Sequence, residues 1–179
     1  PPRSTLFPYT TLFRSVSAIV RNLKEFAQLD RAEFQRTQLH HGLNATVELL
    51  SRELNGIEVV RDFQDIPEID CSPQQLNHVF LNLLLNAVEA KPHKITLRTR
   101  REGDAAVVDV EEDGCGSSEA DLPHIFDPGF TTKGVGVGTG LGLPICQRIV
   151  SAHHGRIEVA SSPGSGTRFT ILLPLQPTL

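Results

Sequence analysis

Two asparagines, Asn82 and Asn86, stand four residues apart inside a run of leucines. On a helix that spacing puts both amides on one side. A carboxamide oxygen can hold a hydrated divalent cation such as Mg²⁺ while its NH₂ group donates to a phosphate. Farther on, Gly134, Gly136, Gly138, Gly140 and Gly142 alternate with other residues and run straight into an apolar helical pattern. Glycine lets backbone approach a ligand closely, and the free N–H groups and dipole of a helix start favour an anion. A third segment, Glu112-Asp113-Gly114-Cys115-Gly116, places two carboxylates in a glycine-bearing turn. Lys91 can meet a phosphate as a point charge, or simply stay solvated. Each feature also has an ordinary use, as a flexible linker or a polar helix face. What decides is whether the elements around them bring the three together.

The helix that carries the asparagines has a clear start. Ser72 suits an N-cap, Pro73 the first helical position and Gln75 the third, a capping-box arrangement. Behind them Leu76, Val79, Phe80, Leu83, Ala87 and Val88 form one apolar face that packs on a sheet. Residues 94–101 and 105–111 read as strands around Glu102-Gly103-Asp104, a hairpin signal. The carboxylate turn follows directly. Residues 117–125 suit a short helix and 126–137 a mobile loop. The last helix spans 141–154 with Ile145, Ile149 and Val150 inward and Gly155 as its C′ residue. Strands at 156–160 and 167–173 close the chain as a hairpin across 161–166.

Upstream, 57–63 alternates as a strand and is followed by a loop with Pro67. A short strand at 37–39 and a helix at 43–54, stopped by Asn55-Gly56, precede it. His40 and His41 fall at that junction as solvated turn residues. Residues 30–36 read as a polar connector. Val16, Ile19, Val20, Leu23, Phe26 and Ala27 form one helical stripe at heptad-like spacing, too short to stand alone. Residues 1–15, PPRSTLFPYTTLFRS, resemble a short-read sequencing adapter translated in one frame; they are expected to be disordered and stay outside the fold reading. Helices alternating with strands and a closing hairpin favour an α+β two-layer sandwich.

Bulk properties narrow the class further. The chain has 179 residues, enough for one domain with a real core. A net charge of −4 speaks against a nucleic-acid surface built on bulk positive charge. No apolar run approaches the roughly 20 residues that span a bilayer. Cys71, Cys115 and Cys146 are far apart, without metal-ligand spacing, and read as reduced, buried small hydrophobes of a cytoplasmic protein.

Four ordered segments together resemble the catalytic, ATP-binding domain of sensor histidine kinases, in the superfamily shared with gyrase-type, Hsp90-type and MutL-type ATPases. Asn82-Leu83-Leu84-Leu85-Asn86-Ala87 is similar to the N-box. Glu112-Asp113-Gly114-Cys115-Gly116 is similar to the D-x-G-x-G turn, Phe126-Asp127-Pro128-Gly129-Phe130-Thr131-Thr132-Lys133 to the F-box and the TTK after it, and residues 134–143 to the G2 box. Gly164-Ser165-Gly166-Thr167 resembles the closing hairpin. The resemblance covers 16–175 and implies the Bergerat ATP-binding fold, with a mixed sheet and ATP and Mg²⁺ as ligands. It implies Asn86 as the Mg²⁺ contact and Asn82 at the phosphate end. It places Lys133 near the β- or γ-phosphate once the lid closes, and Thr167 at adenine. The backbone of Gly136, Gly138, Thr139, Gly140, Leu141, Gly142 and Leu143 would wrap the phosphates, with Gly114, Gly116, Phe126 and Thr132 in the same site.

Two departures stand out. Glu112 occupies the place of the aspartate that accepts from the adenine 6-amino group. The extra methylene costs about 1–3 kcal/mol where it is not accommodated. Either Glu112 bonds adenine with shifted geometry, or Asp113 takes over after a loop adjustment, or affinity is weaker; the first is favoured. Gly129 stands where relatives carry phenylalanine, which implies a looser lid hinge. His154, at a position that is usually glycine, reads as an exposed helix-end residue.

The hydrolytic relatives activate water with a glutamate where this chain has Asn82, which cannot act as a general base. The expected reaction is therefore transfer of the γ-phosphate to a histidine on a helical hairpin, with Asn82 and Lys133 nearest the chemistry. None of the seven histidines sits in the helical H-E-x-x-x-P context of the family's acceptor. Residues 16–30 resemble the second helix of the hairpin in nitrogen-regulation-type kinases, and 31–179 the catalytic domain. The acceptor is then expected upstream, beyond the piece in hand. That leaves a domain that binds ATP·Mg²⁺ and acts on a separately supplied hairpin. The parent would be a homodimer signalling to a response regulator, either free or membrane-anchored, with no nucleic acid or direct membrane contact by this part. A nucleotide-binding module without turnover and an anti-sigma-type serine kinase are the alternatives; the helical stripe at 16–29 argues against the latter.

Overall fold

The structure is a computed structural model that describes residues 33–132 and 139–176. The readings of residues 1–15 and 16–30 lie outside that range. Strand β1 (Gln35–Thr37) leads into helix α1 (Leu39–Leu49), then β2 (Glu58–Phe63), β3 (Ile69–Cys71) and helix α2 (Pro73–Glu89). Strands β4 (Lys94–Glu102) and β5 (Ala105–Glu112) follow, then a single 3₁₀ turn (Leu122–His124), helix α3 (Gly142–Ala152) and strands β6 (Arg156–Ser162) and β7 (Gly166–Pro174). The main sheet has the order β2-β4-β5-β7-β6. Its β2–β4 pair is parallel and the others antiparallel, so the sheet is mixed. β1 and β3 form a separate antiparallel ribbon.

Alternation along the strands explains the two layers. Ile95 and Leu97 of β4, Val108 and Val110 of β5 and Ile171 and Leu173 of β7 are buried. They meet Val79, Phe80, Leu83 and Leu84 of α2 and Ile145, Cys146 and Ile149 of α3 in one core. A strand turns every second residue to one face and a helix every third or fourth, so the two patterns interlock. The opposite face of the sheet is charged. Arg98 lies between Glu111 and Asp62, 3.7 Å from the latter, and Arg100 binds Glu102 and the buried Asp109. Thr170 on the next strand donates to Asp109 at 2.6 Å. Pairing of this kind lets a carboxylate sit under cross-strand neighbours.

Several boundaries differ from the sequence reading. The first strand is Gln35–Thr37, two residues earlier than expected, and α1 begins at Leu39 rather than at residue 43. Gln38 stays extended and its Nε2 donates to the Ile66 carbonyl at 2.9 Å, which fixes the entry to α1. His40 is therefore in the helix. Its ring stacks on Phe63 at 4.7 Å and its Nε2 lies 2.7 Å from Thr99 Oγ1, so it is a packed residue, not a solvated one. β3 lies where a loop was expected. Residues 117–125 form only the 3₁₀ turn, because Pro123 removes a helical donor and Ser118 bonds back to Asp121.

The caps differ too. Ser72 is the N-cap of α2 but makes no side-chain cap bond. It is buried, and its backbone N–H donates to His153 Nε2 at 3.0 Å. At the end of α3 the left-handed residue is His154, with φ of 57°, not Gly155. His154 N–H bonds to Ser151 O and Gly155 N–H to Val150 O, both at 2.9 Å, the paired pattern of a Schellman end. Gly155 serves close packing instead, since a Cβ there would stand 2.4 Å from the Leu172 carbonyl oxygen.

Candidate nucleotide-binding site

The N-box helix α2, the turn after β5, the segment before residue 133 and the start of α3 enclose a cavity of about 520 Å³. That falls within the roughly 300–1,000 Å³ of small-molecule sites. Asn82, Asn86, Glu112, Gly116, Thr132, Thr139, Gly140, Gly142, Leu143 and Thr167 all line it. Ten of the residues singled out from sequence, drawn from five separate segments, thus meet on one space. Apolar walls come from Leu83, Ile125, Phe130, Val159 and Phe169. Lys133, Gly136 and Gly138 lie outside the described residues.

The asparagines behave as their spacing requires. Asn82 turns Nδ2 back to the His78 carbonyl at 3.1 Å. Its Oδ1 faces the start of α3, where a Cβ on Gly142 would stand 3.1 Å away. A side chain at Gly142 would press on that oxygen by a few tenths of an ångström.

The turn after β5 is built by tight backbone contacts. Cys115 N–H bonds to the Ala90 carbonyl at 3.2 Å, tying the turn to the end of α2. A Cβ on Gly114 would stand 2.3 Å from that same oxygen, so this contact requires glycine. Gly116 adopts φ of 66° with Ser162 O in the way of any side chain. Glu112 is 5% exposed and points into the cavity, its Oε2 accepting from the Gly114 N–H. Asp113 faces the other way. Its Oδ1 accepts from the backbone amides of His93 and Lys94, each at 2.8 Å. The Lys94 amide foremost, with that of His93, holds its carboxyl below the usual range against the opposing effect of desolvation. Asp113 is thus a clasp between the turn and the start of β4 and is not among the residues that line the cavity. Of the two carboxylates of the turn, Glu112 is the one that lines the cavity, together with Glu89 from the end of α2.

Phe126 and Leu141 pack against the core beside the cavity without lining it. Gly129 is not a loose hinge. Its N–H donates to the Gly140 carbonyl at 2.9 Å, and both glycines have positive φ, 85° and 63°. A Cβ on Gly140 would meet Gly129 C at 2.4 Å, so backbone packs directly on backbone. The segment before residue 133 is pinned to the one after residue 138.

Thr167, the second residue of β7, stands directly opposite Glu112 in the β5–β7 register. Ser161 supports it from β6 with Oγ 2.9 Å from Thr167 Oγ1. Sequence reading missed Ser161, which looked like hairpin-turn composition, and Cys115, which was expected to be buried. Cys115 is exposed and lines the cavity, whereas Cys71 and Cys146 are buried as expected. Burial pushes the Cys146 thiol up to about 12.

Comparison with known proteins identifies the family and the fold. Residues 71–177 match the family described as histidine kinase-, DNA gyrase B-, and HSP90-like ATPases. The signal transduction histidine-protein kinase AtoS of Escherichia coli strain K12 is 36% identical over 171 residues, covering 91% of this chain and 28% of AtoS. The sensor histidine kinase ZraS of Escherichia coli O157:H7 is 37% identical over 168 residues, again 91% of this chain and 36% of ZraS. The chain therefore spans roughly a third of the length of these curated relatives. The nucleotide-free catalytic domain of the histidine kinase ThkA superposes with a TM-score of 0.73 at 27% identity, over 81% of this chain and 97% of that one. With the α+β fold, the cavity and the family match in agreement, the chain belongs to the histidine kinase-, DNA gyrase B- and HSP90-like ATPase family.

Proposed function

We propose that this chain is the catalytic domain of a sensor histidine kinase, binding ATP·Mg²⁺ and presenting the γ-phosphate to a histidine on a helical hairpin. The observation that carries this is the meeting of Asn82, Asn86, Glu112 and Thr167 on one cavity that the start of α3 also lines. Glu112 and Thr167 mark the base end, on the sheet. Asn82, Asn86 and the first turn of α3 mark the phosphate end. The resemblance assigns Lys133, Gly136 and Gly138, which lie outside the described residues, to the phosphates as well.

The donor set suits the ligands. Among the described residues no three His, Cys, Asp or Glu side chains come together as a metal centre. Asn86 offers one neutral oxygen, which suits a Mg²⁺ ion that keeps several waters and takes its charged ligands from phosphates. Bound there, Mg²⁺ neutralises charge on the phosphate chain. The chain's own residues position: Asn82 is held by the His78 carbonyl, and the amides at the start of α3 receive the phosphates. Positioning and electrostatics supply most of the catalysis in phosphoryl transfer, and no general base is required of Asn82.

By the same reading, residues 31–179 form the catalytic domain and 16–30 the second helix of a dimerisation hairpin. The acceptor histidine, a response regulator and a dimeric parent are the partners, and the domain works in the cytoplasm. No helix among the described residues is long and apolar enough to cross a membrane. A binding module without turnover is the second reading, favoured by Glu112, whose carboxylate is partly spent on Gly114. Labelled ATP with a purified acceptor hairpin separates the two. Acid-labile phosphate on histidine is the expected result; measurable nucleotide binding with no transfer leaves only the module.

A further inference from the structure

Glu89 is the last residue of α2, an exposed side chain that lines the cavity. Asn82, Asn86 and Glu89 are spaced four and three apart, so they form one line along the helix. That line runs between two fixed points. Asn82 Oδ1 faces Gly142 at the start of α3, and the Ala90 carbonyl, just past Glu89, accepts from Cys115 in the turn after β5. Glu89 therefore stands between the asparagines and the turn. A helical side chain also leans toward the N-terminus of its helix, which here is toward Asn86.

Two things disfavour a carboxylate at this place. The C-terminal end of a helix carries the negative end of its dipole, which repels an acidic side chain. The ligand of the cavity is itself a chain of phosphates. Among the described residues that line the cavity none is lysine, arginine or histidine, and the charged ones are Glu89 and Glu112. Like charges in a partly enclosed cavity repel with less screening than in bulk water. A cation between Glu89 and the phosphates replaces that repulsion by two attractions. Asn86, three residues before Glu89 on the same face, offers a neutral oxygen to it. Mg²⁺ keeps several waters, and a carboxylate that accepts from those waters holds the ion without touching it.

We propose that Glu89 makes nucleotide binding depend on the metal: it repels uncomplexed ATP and holds, through water, the Mg²⁺ that ATP carries in. The proposal rests on the nucleotide reading above and gives the cavity a residue that selects the metal-loaded form of its ligand. Asn86 is the direct contact in that reading, and Glu89 is a positioning residue behind it.

The affinity of the whole chain for ATP, measured in excess Mg²⁺ and again in EDTA at matched ionic strength, tests it. The wild type is expected to bind about thirtyfold more tightly with Mg²⁺. Glu89→Gln keeps the length and the helix propensity and removes the charge. It should bind metal-free ATP more tightly and the Mg²⁺ complex more weakly, so that the ratio falls to about threefold. Glu89→Asp keeps the charge and should keep most of the ratio. Should Glu89→Gln fold poorly, Glu89→Lys supplies the second arm and should lower the ratio at least as far. A carboxylate that accepted from a ribose hydroxyl, or only supported the helix end, would shift both affinities alike on substitution. An unchanged ratio in either variant therefore overturns the proposal. A wild type that binds ATP equally in Mg²⁺ and in EDTA overturns it too, while the nucleotide reading stands. One that binds ATP in neither condition removes the nucleotide reading, and the proposal with it.

Discussion

Glu112 and Asp113 are adjacent, equally charged and equally short of a fixed partner in the linear chain. In the fold they do opposite things. Glu112 continues the inward face of β5, in register with Thr167, while Asp113 turns out to the amides of His93 and Lys94. The extra methylene of Glu112 is accommodated by folding its carboxylate back onto the Gly114 amide. Cys115 shows the same dependence on side. It is exposed and lines the cavity, while Cys71 and Cys146 are buried with thiols that burial pushes up. A thiol-specific reagent on the native chain should therefore modify Cys115 alone, and ATP should slow that modification severalfold. Mass spectrometry of the labelled chain checks both. Labelling of Cys146 before unfolding, or a rate indifferent to nucleotide, would count against the placement of the cavity.

At the scale of elements, helix ends carry most of the surprises. Lys91 and His154 each take the left-handed position after a helix, with φ of 54° and 57°. A side chain there costs roughly 1–2 kcal/mol relative to glycine in the folded state, of which part is offset by the greater freedom of unfolded glycine. Lys91→Gly and His154→Gly should each raise stability by about 0.5–1 kcal/mol, read as a higher urea midpoint at unchanged slope. Gly166→Ala should do the reverse, since its Cβ would meet Glu112 O at 1.9 Å.

His153 joins three elements at once. Its Nδ1–H donates to Ile149 O at 2.8 Å, its Nε2 accepts from Ser72, and Phe34 stacks on the ring at 4.9 Å. The folded ring is neutral. Burial holds its pKa below the ordinary 6.5, outweighing the bond to Ile149, and His154 adds to the lowering. The unfolded chain therefore takes up the proton first. The stability His153 contributes is complete above pH 6.5 and is lost as pH falls from there through the folded value. Urea unfolding from pH 8 to pH 5 should show the advantage of the wild type over His153→Gln shrinking with acid. A constant difference would show that His153 does not titrate with folding.

Across the whole molecule, one sheet face serves the site and the other serves the fold. The inner face packs α2 and α3 and ends in the cavity, so core and site share residues. Leu83 is fully buried and also lines the cavity. Leu83→Ala should cost about 2–5 kcal/mol of stability and weaken nucleotide binding as well. A variant that loses stability but binds ATP as before would separate the two roles. The outer face carries Arg98 and Arg100 with their acidic partners, which keeps it polar.

What residue order determined alone was periodic and local: the helix carrying Asn82 and Asn86 on one side, the glycine-led start of α3, the hairpins at Gly103 and Gly164, and the two-layer class. These follow from repeats of 2 and 3.6 residues and from turn chemistry, which need no distant partner. Only the tertiary structure decided which carboxylate of the Glu112-Asp113 pair faces the cavity, that Gly129 is bonded to Gly140, that His40 and His153 are packed, and that Ser161 stands beside Thr167. Each of these depends on strand register or on contacts between residues as much as 81 positions apart. A one-residue shift of register turns every side chain of a strand to the opposite face, and composition carries no record of which register wins.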